Sequence, residues 1–215
     1  MKKLVLICGP QAAGKSTCIA TLNEFVKNLY PCMAAHKDLV LFCLQEARQI
    51  IVHKYHTMGA IFLTPEQERE IIATDLGRLK VIFEELDESL VYVDESNVFT
   101  LAHAKAHGID LIDEFLPQYL EYLIKLKAVI IFLDLDPSIS WQRRKEVYEA
   151  RLYRFEANLR KDIYTRYRQY LFGLYPNLLE IFDKLPLQKV KISADLNHHQ
   201  VMQKILTFLF EKEII

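Results

Sequence analysis

Glycine and proline are scarce in this sequence, six and seven in 215 residues. That shortage excludes long flexible linkers and low-complexity tails. Cysteine is scarce as well: Cys8, Cys18, Cys32 and Cys43 include no CxxC pair. A disulfide framework belongs to smaller secreted chains and a zinc site to tighter spacing, so the four read as reduced thiols in a cytoplasmic protein. Surplus charge is missing too, with 27 Lys and Arg against 28 Asp and Glu. A protein gripping duplex nucleic acid over a wide face carries a basic excess, so no such face is expected. No uncharged apolar run reaches the roughly 18 residues of a membrane span. The apolar run after Lys2 and Lys3 is too short for a signal-peptide core and lacks a small-residue cleavage site. What remains is 51% hydrophobic and 26% charged, the composition of an ordinary globular chain, and its length suits one domain over residues 1–215.

Short apolar runs alternate with helical periodicity. Lys3 to Cys8 reads as a strand buried on both faces. A helix follows from about Lys15 to Leu29, with Ile19, Leu22, Phe25, Val26 and Leu29 on one face. Cys32 to Ala35 reads as a second strand and Leu39 to Tyr55 as a helix. Thr64-Pro65-Glu66-Gln67 opens another helix, with Thr64 as N-cap, Pro65 at the first position and Gln67 completing a capping box. It runs to about Leu86. Leu90 to Val93 is a strand ending at Asp94, and Ile109 to Leu126 is one or two helices around Pro117. Ala128 to Leu133 is the clearest strand. A long charged helical region extends to about Phe172, Val190 to Ile192 is a last strand, and Asn197 to Phe210 a closing helix. Such alternation is the signature of a parallel sheet covered on both faces. Ligands of such sheets bind beyond the carboxyl ends of the strands.

Gly9-Pro10-Gln11-Ala12-Ala13-Gly14-Lys15-Ser16, followed by Thr17, matches G-x-x-x-x-G-K-[ST] between a strand and a helix. Backbone N–H groups of such a loop line a concave nest, and the helix start adds a positive dipole end. Lys15 is placed to bridge the β- and γ-phosphates of a nucleotide, and Ser16 to ligate Mg²⁺. The chain has no Asn-Lys-x-Asp tetrad, which excludes a guanine reader of the GTPase kind. A small phosphotransferase using ATP and Mg²⁺ fits what is left. Such enzymes need arginines over the transferring phosphate, where charge builds. Arg143, Arg144, Lys145, Arg151, Arg154, Arg160, Lys161, Arg166 and Arg168 stand within 26 residues, among four acids. A lid over about residues 143–156 is the expected use of this cluster; a solvated helix laced with i,i+4 pairs is the alternative.

Several segments resemble the thymidylate kinase branch of the phosphate-loop kinases and, more loosely, the deoxynucleoside kinases. Phe132-Leu133-Asp134-Leu135-Asp136-Pro137 is similar to the strand before that family's lid. Arg143 falls where the family has a lid-helix arginine, Arg154-Phe155-Glu156 resembles its Arg-hydrophobic-Glu motif, and Tyr170 lies at the family spacing beyond. Asp94, with Ala102 at the matching offset, opens a segment resembling the Asp-Arg-Tyr region. Ile192-Ser193-Ala194-Asp195 is similar to the strand and loop that cover the adenine. The resemblance implies an α/β fold of three layers, a five-stranded parallel sheet in the order 2-3-1-4-5, and a helical, Arg-rich lid. It implies catalytic roles for Lys15, Arg143 and Arg154, contacts from Arg143, Ala194 and Asp195 to ATP, and a homodimer through the second and third helices. The chain departs from the family at two places. Asp94-Glu95-Ser96 lacks the arginine that meets an acceptor's phosphate, where a glutamate repels it. His36-Lys37-Asp38 replaces an Arg-Glu-Pro-Gly-Gly stretch.

Two carboxylates compete for the acid–base work. Asp94 ends a strand on the ligand edge and suits a Mg²⁺ shell; Asp38 suits a base for an acceptor hydroxyl. Asp134 and Asp136 rank below Asp94 for the metal, Asp136 as a helix cap. No H-E-x-x-H pattern accompanies the seven histidines, so catalytic zinc is not expected. Trp141 and the tyrosines from 148 to 170 read as packing residues, and Phe42, Phe62 and Phe99 as possible pocket walls. The expected acceptor is a nucleoside or nucleoside monophosphate, with no membrane partner. The rivals are a kinase for another small hydroxyl compound (antibiotic, sugar or polynucleotide end) and a non-catalytic nucleotide-binding regulator.

Overall fold

Five segments pair as strands in the computed structural model, which describes residues 3–29, 41–44, 47–55, 60–85, 91–94 and 97–215. They are β1 (Lys3–Cys8), β2 (Leu41–Leu44), β3 (Val91–Asp94), β4 (Val129–Asp134) and β5 (Gln188–Ser193). All pairings are parallel, and the order is β2-β3-β1-β4-β5. β1 is central, with Leu6 opposite Asp94 of β3 and Cys8 opposite Phe132 of β4. Buried on both faces, it must find apolar partners above and below. Its period-two alternation sends Leu4, Leu6 and Cys8 to one core and Val5 and Ile7 to the other.

Parallel strands need crossovers, and helices supply them. These are α1 (Lys15–Leu29), α2 (Ala47–Lys54), α3 (Pro65–Glu85), α4 (Thr100–Ala106), α5 (Ile112–Lys125), α6 (Pro137–Leu152), α7 (Arg160–Lys184) and α8 (His198–Glu211). α1 and α8 cover the Val5–Ile7 face through Cys18, Leu22, Met202 and Ile205. α3, α4, α5 and α7 cover the other through Ile72, Leu101, Tyr119 and Leu174. Helix starts follow local chemistry. Thr64 and Gln67 exchange side-chain-to-backbone hydrogen bonds at 3.3 and 3.0 Å, and Asn197 and Gln200 form the same box before α8. Among the described residues, no helix is long and apolar enough to cross a membrane.

Three expectations need correction or placing. The helix expected over Leu39 to Tyr55 is instead strand β2 and then the shorter helix α2. A four-residue apolar run has no periodicity that separates strand from buried helix, and pairing with β3 decides it. The strand expected at Cys32 to Ala35 lies outside the described residues. The charged helical region divides into α6 and α7, and α7 continues past Pro176 to Lys184.

Candidate functional site

The Gly9–Ser16 loop joins β1 to α1 and turns back at the carboxyl edge of the sheet. Gly9 has φ of 142°, and a Cβ there would lie 2.3 Å from the backbone oxygen of Leu133. Only glycine lets the loop leave β1 this close to β4. Ala12 and Gly14 also have positive φ, 61° and 89°. Mixed handedness of this kind gathers successive N–H groups into an anion-binding nest. The Lys15 ammonium lies across its own loop, donating to Gly9 O at 3.1 Å and Pro10 O at 3.0 Å. Ser16 and Thr17 are exposed at the head of α1.

α6 supports the loop from the side. Asp136 caps this helix by accepting from Ser138 N at 2.7 Å, which holds its carboxyl below the usual range. That capping aims one face of α6 at the loop. Ser140 Oγ donates to Gln11 O at 2.6 Å, Arg143 Nη1 donates to Ala12 O at 3.1 Å, and Tyr148 OH donates to Gln11 Oε1. Arg143 is thereby held against the backbone of the loop. Arg154 lies in the exposed turn after α6, and its backbone N–H bonds to Arg151 O.

The remaining expected residues fall in different places. Asp94 closes β3 in register with Leu6 and Leu44, on the same sheet edge as the loop. Asp38, Lys37 and Glu95 lie outside the described residues. Asp134 is engaged by its neighbours: Tyr175 OH donates to it at 2.7 Å and Lys191 pairs with it at 3.2 Å. Burial first, and then this carboxylate, push the Tyr175 hydroxyl up to about 12. Ala194 is buried and ties β5 to β4 by donating its N–H to Asp134 O at 2.7 Å, and Asp195 follows in the turn before α8. Phe99 is a core residue, whereas Phe62 stacks near Phe155 of the α6–α7 link.

Sequence reasoning missed a buried polar cluster just past the ends of β2 and β3. Arg48 of α2 forms two charge-assisted hydrogen bonds to Glu68 of α3 at 2.5 and 2.6 Å, and donates to Thr100 Oγ1 at 2.8 Å. His107 Nε2 lies 2.8 Å from Glu68. Burial drives the Glu68 carboxyl up, but Arg48 and His107 outweigh it and hold it low. Beside this group, His103 Nδ1 shares a 2.6 Å hydrogen bond with Tyr170 OH. A signal for Glu68 does exist: it stands in line with Ile72, Asp75 and Leu79 on the inward stripe of α3. An acid on an apolar stripe needs a partner.

His103 carries a pH consequence. Burial, then the positive charges of Arg48, Lys15 and His107, hold it well below its usual 6.5. Below that value the unfolded chain takes up a proton that the folded chain refuses, so stability falls as pH drops. Thermal midpoints are expected to be level above about pH 6.5 and to decline below it. His103→Gln should flatten the decline; an unchanged profile in that variant would exclude His103 as its source.

No protein-family model and no curated protein sequence matches the chain. Solved structures do. A deoxyadenosine kinase from M. mycoides with bound dATP superposes with a TM-score of 0.57 at 15% identity, covering 96% of this chain and 98% of that one. The YorR protein from Bacillus subtilis, in complex with phosphorylated GDP, gives 0.54 at 16% identity over 98% and 96%. At such identities the likeness is one of architecture. The chain shares its α/β fold with these two structures.

Proposed function

We propose that this chain is an ATP-dependent kinase that moves the γ-phosphoryl group to a nucleoside or nucleoside monophosphate, in the manner of the thymidylate kinase branch. The observation that carries the reading is the phosphate loop at the head of α1 with Arg143 of α6 laid against it. The full-length likeness to a deoxyadenosine kinase and to a protein holding phosphorylated GDP supports a nucleotide on both sides of the reaction.

The loop receives the ATP phosphates, with Gly9 to Thr17 as the cradle. Lys15, which donates to the Gly9 and Pro10 carbonyls, would meet the β- and γ-phosphate oxygens by a stronger charge-assisted contact. Ala194 and Asp195 border the base. Ser16 and Asp94 are the residues that would hold Mg²⁺. A hydroxyl, a carboxylate and phosphate oxygens suit an ion that keeps several waters, and the ion would neutralise charge on the β- and γ-phosphates. Asp38 is the proposed base for the acceptor hydroxyl. The buried cluster of Arg48, Glu68, Thr100, His103 and Tyr170 forms the acceptor-side wall past β2 and β3. Residues 143–156 act as the lid, closing on both substrates and excluding water. The cytoplasm, where thiols stay reduced, suits this chemistry, and a homodimer through α2 and α3 accords with the resemblance.

Arg154 then acts late. Arg154→Ala is expected to lower kcat by roughly 10²-fold while changing ATP affinity little. Equal losses in both would make it a ground-state contact. The function itself is tested with labelled ATP and Mg²⁺ against nucleosides, nucleoside monophosphates and small alcohols. Transfer to a nucleoside or its monophosphate is expected; transfer only to another alcohol, or none, overturns the reading.

A further inference from the structure

Gln11, at the tip of the phosphate loop, is gripped twice from α6. Ser140 Oγ donates to its backbone oxygen, and Tyr148 OH donates to its side-chain Oε1. Tyr148 has little freedom of its own. It is 3% exposed, stacked on Tyr167 at 4.7 Å and 20° and on Trp141 at 5.5 Å and 21°. Tyr167 in turn meets Phe62 edge-on at 6.3 Å. Burial pushes the Tyr148 hydroxyl up to about 12, so it stays protonated and donates at any working pH.

This arrangement has a chemical polarity. A side-chain amide offers an acceptor at one end and two N–H donors at the other. With Oε1 committed to Tyr148, the end left for a ligand is Nε2. A loop that binds anions thereby gains a neutral donor pair in addition to its backbone N–H groups and Lys15. Preorganised donors of this kind stabilise charge that develops on an oxygen, because they need no reorientation when it appears.

We propose that Gln11 binds a terminal phosphate oxygen of the bound nucleoside triphosphate through its Nε2 amide, and that Tyr148 is the positioning residue that sets the polarity of that amide. The proposal rests on the reading of the chain as a nucleoside-triphosphate-dependent kinase. It makes α6 more than a carrier of lid arginines. Through the Trp141–Tyr148–Tyr167 stack, the packing of α6 on α7 determines what the loop tip presents.

The test compares two probes in the full chain with Mg²⁺, by calorimetry: ADP, and the non-hydrolysable triphosphate adenylyl imidodiphosphate. Neither measurement needs an acceptor. Gln11→Ala is expected to weaken the triphosphate by about tenfold, as befits one hydrogen bond to a charged group, and to leave ADP unchanged. Tyr148→Phe keeps the ring and its stacking and loses only the donor, so it should cause a similar selective loss. The double variant should be no worse than Gln11→Ala alone, because Tyr148 acts through Gln11. Equal weakening of both probes in Gln11→Ala, or additive losses in the double variant, would overturn the proposal by making these residues structural supports. Wild-type protein that binds neither nucleotide would instead remove the kinase reading on which it stands. Wild-type binding with undiminished discrimination in both variants removes only the role of Gln11.

Discussion

Lys15→Ala is expected to lower kcat for phosphoryl transfer by on the order of 10²–10³-fold, with little change in thermal stability. The two effects separate because of where the ammonium sits. In the folded chain it makes two hydrogen bonds to neutral carbonyls of its own loop, Gly9 O and Pro10 O. A half-exposed contact of that sort contributes about 1 kcal/mol at most once water is counted. In the proposed reaction the same group would face oxygens that gain charge, under a closed lid, where a point charge has its largest effect. Rates are read with labelled ATP and stability by thermal unfolding of the same preparation. Substantial residual transfer would sink the assignment of this loop as the reacting site. Loss of folding would show that the carbonyl contacts matter more than their geometry suggests.

The largest effect on stability is expected at Arg48. Its side chain is nearly fully buried, with its hydrogen bonds to Glu68 and Thr100 made inside the helices that follow β2 and β3. Arg48→Ala leaves the Glu68 carboxylate buried with its main counter-charge gone, a change that costs about 3–5 kcal/mol. For a chain of this size that corresponds to a fall of roughly 10 °C in Tm. Glu68 holds its proton only at unusually low pH in the native protein, so its contribution is complete above its ordinary 4.5 and is lost as pH falls through the lower native value. In Arg48→Ala that acid dependence should begin at higher pH, because burial then acts on the carboxyl with less opposition. The double variant Arg48→Met/Glu68→Leu should recover most of the loss, since neither charge is then stranded. Chemical unfolding of the single and double variants measures all of this. A single-variant loss below about 1 kcal/mol would mean that the pair is solvated and contributes as a surface pair does.

Much of the fold was legible because its signals are local. The phosphate loop is contiguous, and glycines at its bends stand where positive φ is required. Thr64 with Gln67 and Asp136 with Ser138 act within a few residues of each other, so their caps appear in the sequence as they do in space. β1 and β4 are long enough, and apolar enough, to be read as strands buried on both faces. β2 is only Leu41–Leu44, and its identity comes from hydrogen bonds to β3, some fifty residues away. Tyr148 shows the same limit at the site. Its aromatic ring fits a packing role, which it has, and nothing near it in sequence reveals that its hydroxyl meets Gln11.

By itself the sequence determined the local features: a Gly-x-x-x-x-Gly-Lys-Ser loop, a set of arginines after β4, and strand–helix alternation that demands a parallel sheet. These follow from steric freedom at glycine, from charge and from apolar periodicity, all of which operate over short stretches of chain. The tertiary structure alone decided which of those arginines reaches the loop, that α6 grips Gln11, and that Arg48 meets Glu68 and Thr100 out of water. Contacts between residues 20 to 137 positions apart arise only when the sheet brings the carboxyl ends of its strands to one edge and the helices close over them.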